Sequence, residues 1–267
     1  MDRNCGMTDA DPQSPAGGMT LNGLKYLAVL AMTIDHIAFA FVPEGTALAI
    51  IMHTIGRITG PVMFFAAVEG YHHTRNLNGY MARLAAFAAI SWFPFLYFRC
   101  GGSLAEASFL RPNVIYTIFL GVLAVRLRRS ERLKNPAVKG FLILPLVILC
   151  VPADWGCTGI LMILALDFFY GNFQHQAFAY CLIVLCDMGV LTMLTSPFFH
   201  LFYDGELYIN VEYYLYTAEN AGAFLPIALL ALYRGRHGEK GGFSKWFFYL
   251  YYPLHLLALG VLQALWR

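Results

Sequence analysis

The stretch "MTIDHIAFAF", residues 32–41, sets Asp35 beside His36 inside an apolar run that begins at Leu21. A neutral imidazole, with an ordinary pKa near 6.5, is the side chain best suited to take and return a proton at neutral pH. It can also act as a nucleophile that carries an acyl group. Neighbouring residues on a helix point ~100° apart. Asp35 therefore cannot buttress His36 directly and must look to a different helix.

Other ionisable side chains fall within apolar stretches: His53, Arg57, Asp187, Glu219 and His255. A charge at the bilayer centre costs ~2.5–3.5 kcal/mol on insertion scales, so these groups are expected to face a bundle interior and one another. For any one of them, Asp187 for example, helix-to-helix adhesion is the simpler account. For the whole cluster adhesion explains less, because apolar packing or small residues join helices without the desolvation cost.

Depth arithmetic suggests partners. At 1.5 Å per residue, His36 lies ~22 Å beyond Leu21, past the midplane. The next apolar run returns after the short turn "PEGT", which brings Arg57 back to a similar depth. An Asp35–Arg57 ion pair is expected, with His36 left free on the adjacent face. At the far end of that second run, "VEGYHHTRN" holds Glu69, His72, His73 and Arg75 at an interface, where basic groups could meet an anionic phosphate. The adjacent histidines lack the i,i+4 spacing that places two ligands on one helix face, so no metal site is expected. In "FSKWFFYLYYPLHLL", an aromatic-rich interfacial belt, Pro253 would loosen the helix beside His255 and free backbone groups there.

The elements that must position these residues are membrane helices. The chain has 267 residues, of which 59% are hydrophobic and only 13% charged, with a mean hydropathy of +0.59. Soluble domains carry about 25% charged residues. Apolar runs stand near 21–42, 46–70, 78–98, 113–127, 140–151, 158–170, 177–198, 211–233 and 243–266. Against the ~20 residues a span requires, this predicts an all-α polytopic bundle of about nine spans, within a range of eight to ten. The runs at 140–151 and 158–170 are short and are broken by "VPADWG", either as two short spans or as a re-entrant pair inside the bundle. Residues 1–20, with Asp2, Arg3, Asp9, Asp11, Pro12 and Pro15, read as a disordered cytoplasmic tail before an uncleaved first span. Residues 21–267 read as one membrane domain, with no internal repeat.

Six cysteines, at 5, 100, 150, 157, 181 and 186, form no C-x-x-C pair, and a Cys150–Cys157 disulfide is a minor alternative to free thiols. No glycine-rich phosphate loop is present. The basic loop at 126–139 is better explained by membrane orientation than by nucleic acid, and no nucleic-acid partner is expected.

Five segments resemble, in order, those of the TraX family: "LKYLAVLAMTIDHIAFAF", "IGRITGPVMFFAAVEGYHHTRN", "RPNVIYTIFLGVLAVRL", "ADWGCTGILMILALDFFYG" and "YYPLHLLALGVL". The resemblance spans roughly residues 21–266, and its first two motifs are the most specific. It implies a multi-pass protein of the bacterial cytoplasmic membrane, distantly similar to membrane acyltransferases, whose namesake acetylates the N-terminal amine of conjugative pilin using acetyl-CoA. On that resemblance His36, Asp35 and Arg57 would be catalytic, with His36 either base or acyl carrier. Glu69, His72, Arg75 and His255 would serve the acetyl-CoA co-substrate. The acceptor would be a protein N-terminus, a glycan or a lipid, reached among membrane lipids. The alternative from another class is a proton- or ion-coupled transporter, which buried Asp, His and Arg also suit; a purely structural subunit would leave those charges without purpose.

Lysine and arginine counts orient the chain. Segment 126–139 holds six, 234–245 four, 71–83 two and 1–25 two, against Arg99, Arg111 and Arg267 on the alternate side. The positive-inside tendency puts the N-terminus and the basic loops in the cytoplasm. Single cysteines placed in 126–139 should resist membrane-impermeant thiol reagents in intact cells, and labelling from outside would reverse the orientation.

Overall fold

A computed structural model describes residues 18–105, 107–187, 189–203, 211–235 and 242–266, with single positions 205 and 238. Most of the expected disordered tail lies outside these residues; within it, the Met19 backbone N–H donates to Leu232 O at 2.9 Å. The helices are α1 (Leu21–Phe41), α2 (Ala47–Gly56), α3 (Thr59–His73), α4 (Leu77–Ile90), α5 (Trp92–Arg99), α6 (Val114–Arg128), α7 (Pro136–Cys150), α8 (Gly156–Phe168), α9 (Phe173–Asp187), α10 (Val190–Tyr203), α11 (Val211–Ala221), α12 (Leu225–Ala231) and α13 (Gly242–Trp266). A 3₁₀ turn, Gly222–Phe224, links α11 to α12. The fold is all-helical, as expected. Among the described residues, four stretches are long and apolar enough to cross a membrane: Leu21–Phe41, Ala47–His73, Leu77–Arg99 and Trp246–Trp266. Shorter apolar helices cover Pro136–Cys150, Gly156–Phe168, Phe173–Cys186 and Thr217–Ala231.

Local chemistry sets the breaks. Thr20 and Thr46 cap α1 and α2 by accepting from Gly23 and Ala49 N–H, which satisfies donors a helix start leaves open. Gly45, at φ +77°, makes the turn between them. The stretch Leu77–Arg99 bends at Ser91, just before Pro94. Its interrupted carbonyl at Ala88 is taken by the buried Asn113 side chain (2.8 Å), whose oxygen meanwhile caps α6 through Ile115 and Tyr116 N–H. One asparagine thus repairs the bend and starts the next helix. The run expected as one element at 177–198 is two helices, α9 and α10, parted near Gly189 at φ +77°. The short runs around "VPADWG" are separate helices, α7 and α8, and Cys150 and Cys157 are free thiols.

Helix α1 packs on α2, α3 and α13; α13 also packs on α5, and α6 packs on α4, α7 and α8. Leu24, Ala28, Val62, Phe64, Val122, Met162, Ile163 and Leu256 are fully buried at these contacts. Small residues allow close approach: a Cβ on Gly121 would strike Ile163, and one on Gly159 would strike Thr117. The outward faces are apolar, as at Leu48, Phe141, Ile148, Phe178 and Trp266, which suits a lipid solvent.

The basic end of the bundle is closed by one buried carboxylate. Asp167, with no exposed surface, receives Arg129 Nε at 2.7 Å, Arg128 and His72 Nε2 at 2.8 Å. It joins α3, α6 and α8, and Lys139 of α7 adds a bond to Arg128 O at 2.7 Å. Removing the carboxylate strands three nitrogen groups. Because Arg128 and Arg129 keep some solvent, Asp167→Ala should cost about 3 kcal/mol, the lower end for a broken buried pair. Asp167→Asn should cost less. Thermal unfolding of detergent-purified protein would read both.

Candidate functional site

A cavity of about 450 Å³ opens within the half of the bundle opposite the basic end, a size ordinary for a small-molecule site. Helix α1 forms one wall: Val29, Met32, Asp35, His36 and Phe39 all face it. Val29 and Phe39 are ten helical steps apart, so the cavity follows α1 for about 15 Å. His53, Gly56 and Arg57 come from the α2–α3 break, Arg99 from the end of α5, Asp154 and Trp155 from the α7–α8 turn, and Glu219 from α11.

Two imidazoles are held in different ways. His53 Nδ1 meets Asp35 Oδ1 at 2.8 Å, so the carboxylate fixes an Nδ1–H donor and leaves Nε2 with its lone pair. His36 Nδ1 lies 2.7 Å from His255 Nε2, with the ring planes only 6° apart. His255 Nδ1 in turn lies 2.8 Å from the Tyr251 carbonyl, which can only accept. His255 therefore carries its proton on Nδ1, its Nε2 accepts, and His36 donates from Nδ1. In the neutral pair His36 Nε2 keeps its lone pair. Phe98, 5.1 Å from the His36 ring centre, packs against it. Tyr251 OH is anchored at 2.7 Å on Thr33 Oγ1, which itself donates to Val29 O.

The expected Asp35–Arg57 pair does not form. Arg57 sits where α2 ends, and the residue one turn earlier on the same face, His53, reaches Asp35 instead. Arg57 stays in the cavity wall, its Nε buried without a protein partner. Nor is His36 free on its face, since His255 holds it. Of the group assigned to the co-substrate, His255 joins His36. Glu69 and His72 lie at the basic end, where Tyr233 OH donates to Glu69 at 2.8 Å and His72 stacks on Tyr170 at 3.6 Å. Arg75 is exposed on the α3–α4 turn. These four do not make one site. The Asp187 side chain lies outside the described residues.

Sequence reasoning passed over Arg99, Asp154 and Trp155. A lone arginine in a charge-poor loop was one available sign. Trp155 has φ +64°, the one non-glycine in the left-handed region among the described residues, a conformation that costs ~1–2 kcal/mol. The backbone before it is pinned: Asp154 N–H donates to Pro112 O at 2.9 Å and Asp154 O accepts from Thr117 at 2.5 Å. Its ring fills the space left by Gly60 and meets Phe64 edge-on at 5.5 Å. Among the described residues no three His, Cys, Asp or Glu side chains gather as metal ligands.

The family model "TraX protein" matches residues 20–263, which takes in every helix around the cavity. The chain belongs to the TraX family. Its relatives include "Probable fimbrial assembly protein FimC, serogroup H1" of Dichelobacter nodosus, 32% identical over 88% of this chain and 92% of that one. "Uncharacterized protein RP591" of Rickettsia prowazekii (strain Madrid E) is 35% identical over 37% of this chain and 33% of its own. No solved structure matches.

The TraX-family cavity rests on Gly56, where an added Cβ would fall 2.3 Å from Asp35 Oδ1. Gly56→Ala should destabilise by about 1–3 kcal/mol through overpacking. Gly140→Ala, in α7 with nothing within 4 Å, should be neutral or slightly stabilising. Paired melting curves of the two variants check the contrast.

Proposed function

We propose that this TraX-family chain is an integral-membrane acyltransferase that moves an acyl group, acetyl in the simplest case, from acyl-CoA to an amine or hydroxyl acceptor. The carrying observation is His36: a cavity-lining imidazole whose tautomer is set by the relay to His255 and Tyr251 O, so that an unprotonated Nε2 is available. That nitrogen can act as base or as nucleophile. Arg57, with its buried Nε unmatched by protein, is suited to hold the carbonyl oxygen as negative charge develops on it. Asp35 positions the neighbouring wall.

The helices are read as about nine spans in a bacterial cytoplasmic membrane, with the N-terminus and the basic end facing the cytoplasm. Acyl-CoA then comes from the basic end, with its phosphates near Arg75 and Lys25. Phe248 supports this route, since it lines the cavity and also carries the Lys25 ammonium 4.3 Å from its ring centre. A pantetheine arm of ~15–20 Å spans the remaining half-bilayer. The acceptor enters from the opposite side. Membership in a family whose relative is named for fimbrial assembly favours a surface-protein acceptor.

His36→Gln should fold and still bind CoA, yet lose at least about 100-fold in transfer of labelled acetyl to membrane or surface acceptors, the scale of acid–base catalysis. Wild-type transfer by that variant removes the assignment. Proton-linked solute uptake by wild-type protein, without acyl transfer, would instead establish the transporter.

A further inference from the structure

Resting on that acyltransferase reading, we propose a division of labour between two imidazoles: His36 carries the acyl group, and His53, held by Asp35, takes the proton of the acceptor. The Asp35–His53 pair is not sealed into a helix interface. Both side chains line the cavity and keep part of their surface exposed, 25% and 17%. A pair serving only adhesion gains nothing from facing the cavity.

The wiring separates the two roles. His53 donates Nδ1–H to a carboxylate, the arrangement that orients a general base and stabilises the imidazolium formed when it accepts a proton. His36 donates to a neutral ring whose own proton rests on a backbone carbonyl. It has no carboxylate partner, but it has somewhere to send its Nδ1 proton.

The steps balance. His36 Nε2 attacks the thioester carbonyl, the C–S bond breaks, and CoA leaves as thiolate, which takes a proton from water. The Nδ1 proton of His36 passes to His255 Nε2, leaving a neutral acyl-imidazole. The acceptor N–H or O–H then gives its proton to His53 Nε2 and attacks the acyl carbon. The C–N bond to His36 breaks, His255 returns the proton to His36, and His53 releases its proton to water. His255 is a positioning residue and proton store, and it does not touch the acyl group.

The test uses the full chain in nanodiscs. With acetyl-CoA, labelled CoA and no acceptor, exchange of label into acetyl-CoA reports the first half-reaction alone. Wild type and His53→Gln should exchange at rates within a few-fold of each other, while His36→Gln should not exchange. With source-cell membranes as acceptor, His53→Gln should lose 100-fold or more in acetyl transfer, and Asp35→Asn should show the same split at 10-fold or more. Retained exchange also certifies that His53→Gln is folded. The proposal is overturned if His53→Gln transfers like wild type, if it loses exchange together with transfer, or if wild type transfers without exchange. In that last case the enzyme reading survives alone, whereas a wild type with neither exchange nor transfer removes both.

Discussion

The hydrogen bond between Asp35 and His53 is the interaction on which the arrangement depends. It requires α1 and α2 to approach until no side chain fits between them, which is why glycine stands at 56. With Asp35 committed to α2, the next residue, turned ~100° around the helix, is committed to α13 through His255. Two consecutive residues thereby tie α1 to two of its neighbours and leave both imidazoles on one cavity. Exchanging their order would exchange the helices they address.

The opposite end solves a different problem with the same chemistry. Asp167 has no exposed surface and is surrounded by two guanidinium groups and an imidazole. Its bonds are short and nearly saturate the carboxylate, so that node is rigid and closed. In the cavity, by contrast, Arg57 Nε is buried without a protein acceptor and Asp35 is only singly paired. A closed, fully paired carboxylate node at one end and an unmatched guanidinium nitrogen in the cavity wall separate a scaffold node from a candidate site.

The all-helical, apolar character of the fold was legible in the sequence, because helix period and apolar length are local or additive. That Asp35 must reach another helix and leave His36 on a different face followed from the 100° step alone, but not that His36 would be held by a second helix. Nor did their partners. His53 and Arg57 are one turn apart on the same face, and the difference between them is an axial offset of about 6 Å that turn length alone does not set. His255 lies 219 residues from His36, so nothing local linked them. Asp167 was not singled out in the sequence at all, because the register of α8 against α3 and α6 is a packing outcome. The split of the 177–198 run at Gly189 was visible only as a glycine, and its positive φ is what parts the helices.

The cavity also changes where a membrane's electric field acts. It follows α1 for about 15 Å, roughly half of a ~30 Å hydrocarbon layer. In a bilayer, solvent entering a cavity of that length shortens the path over which the transmembrane voltage falls. A full crossing is worth ~2.3 kcal/mol per charge per 100 mV. A proton exchanged at His36 crosses only the part of that drop that lies beyond the cavity. Protonation of the two imidazoles is thereby coupled to voltage in proportion to the packed length that separates them from each solution.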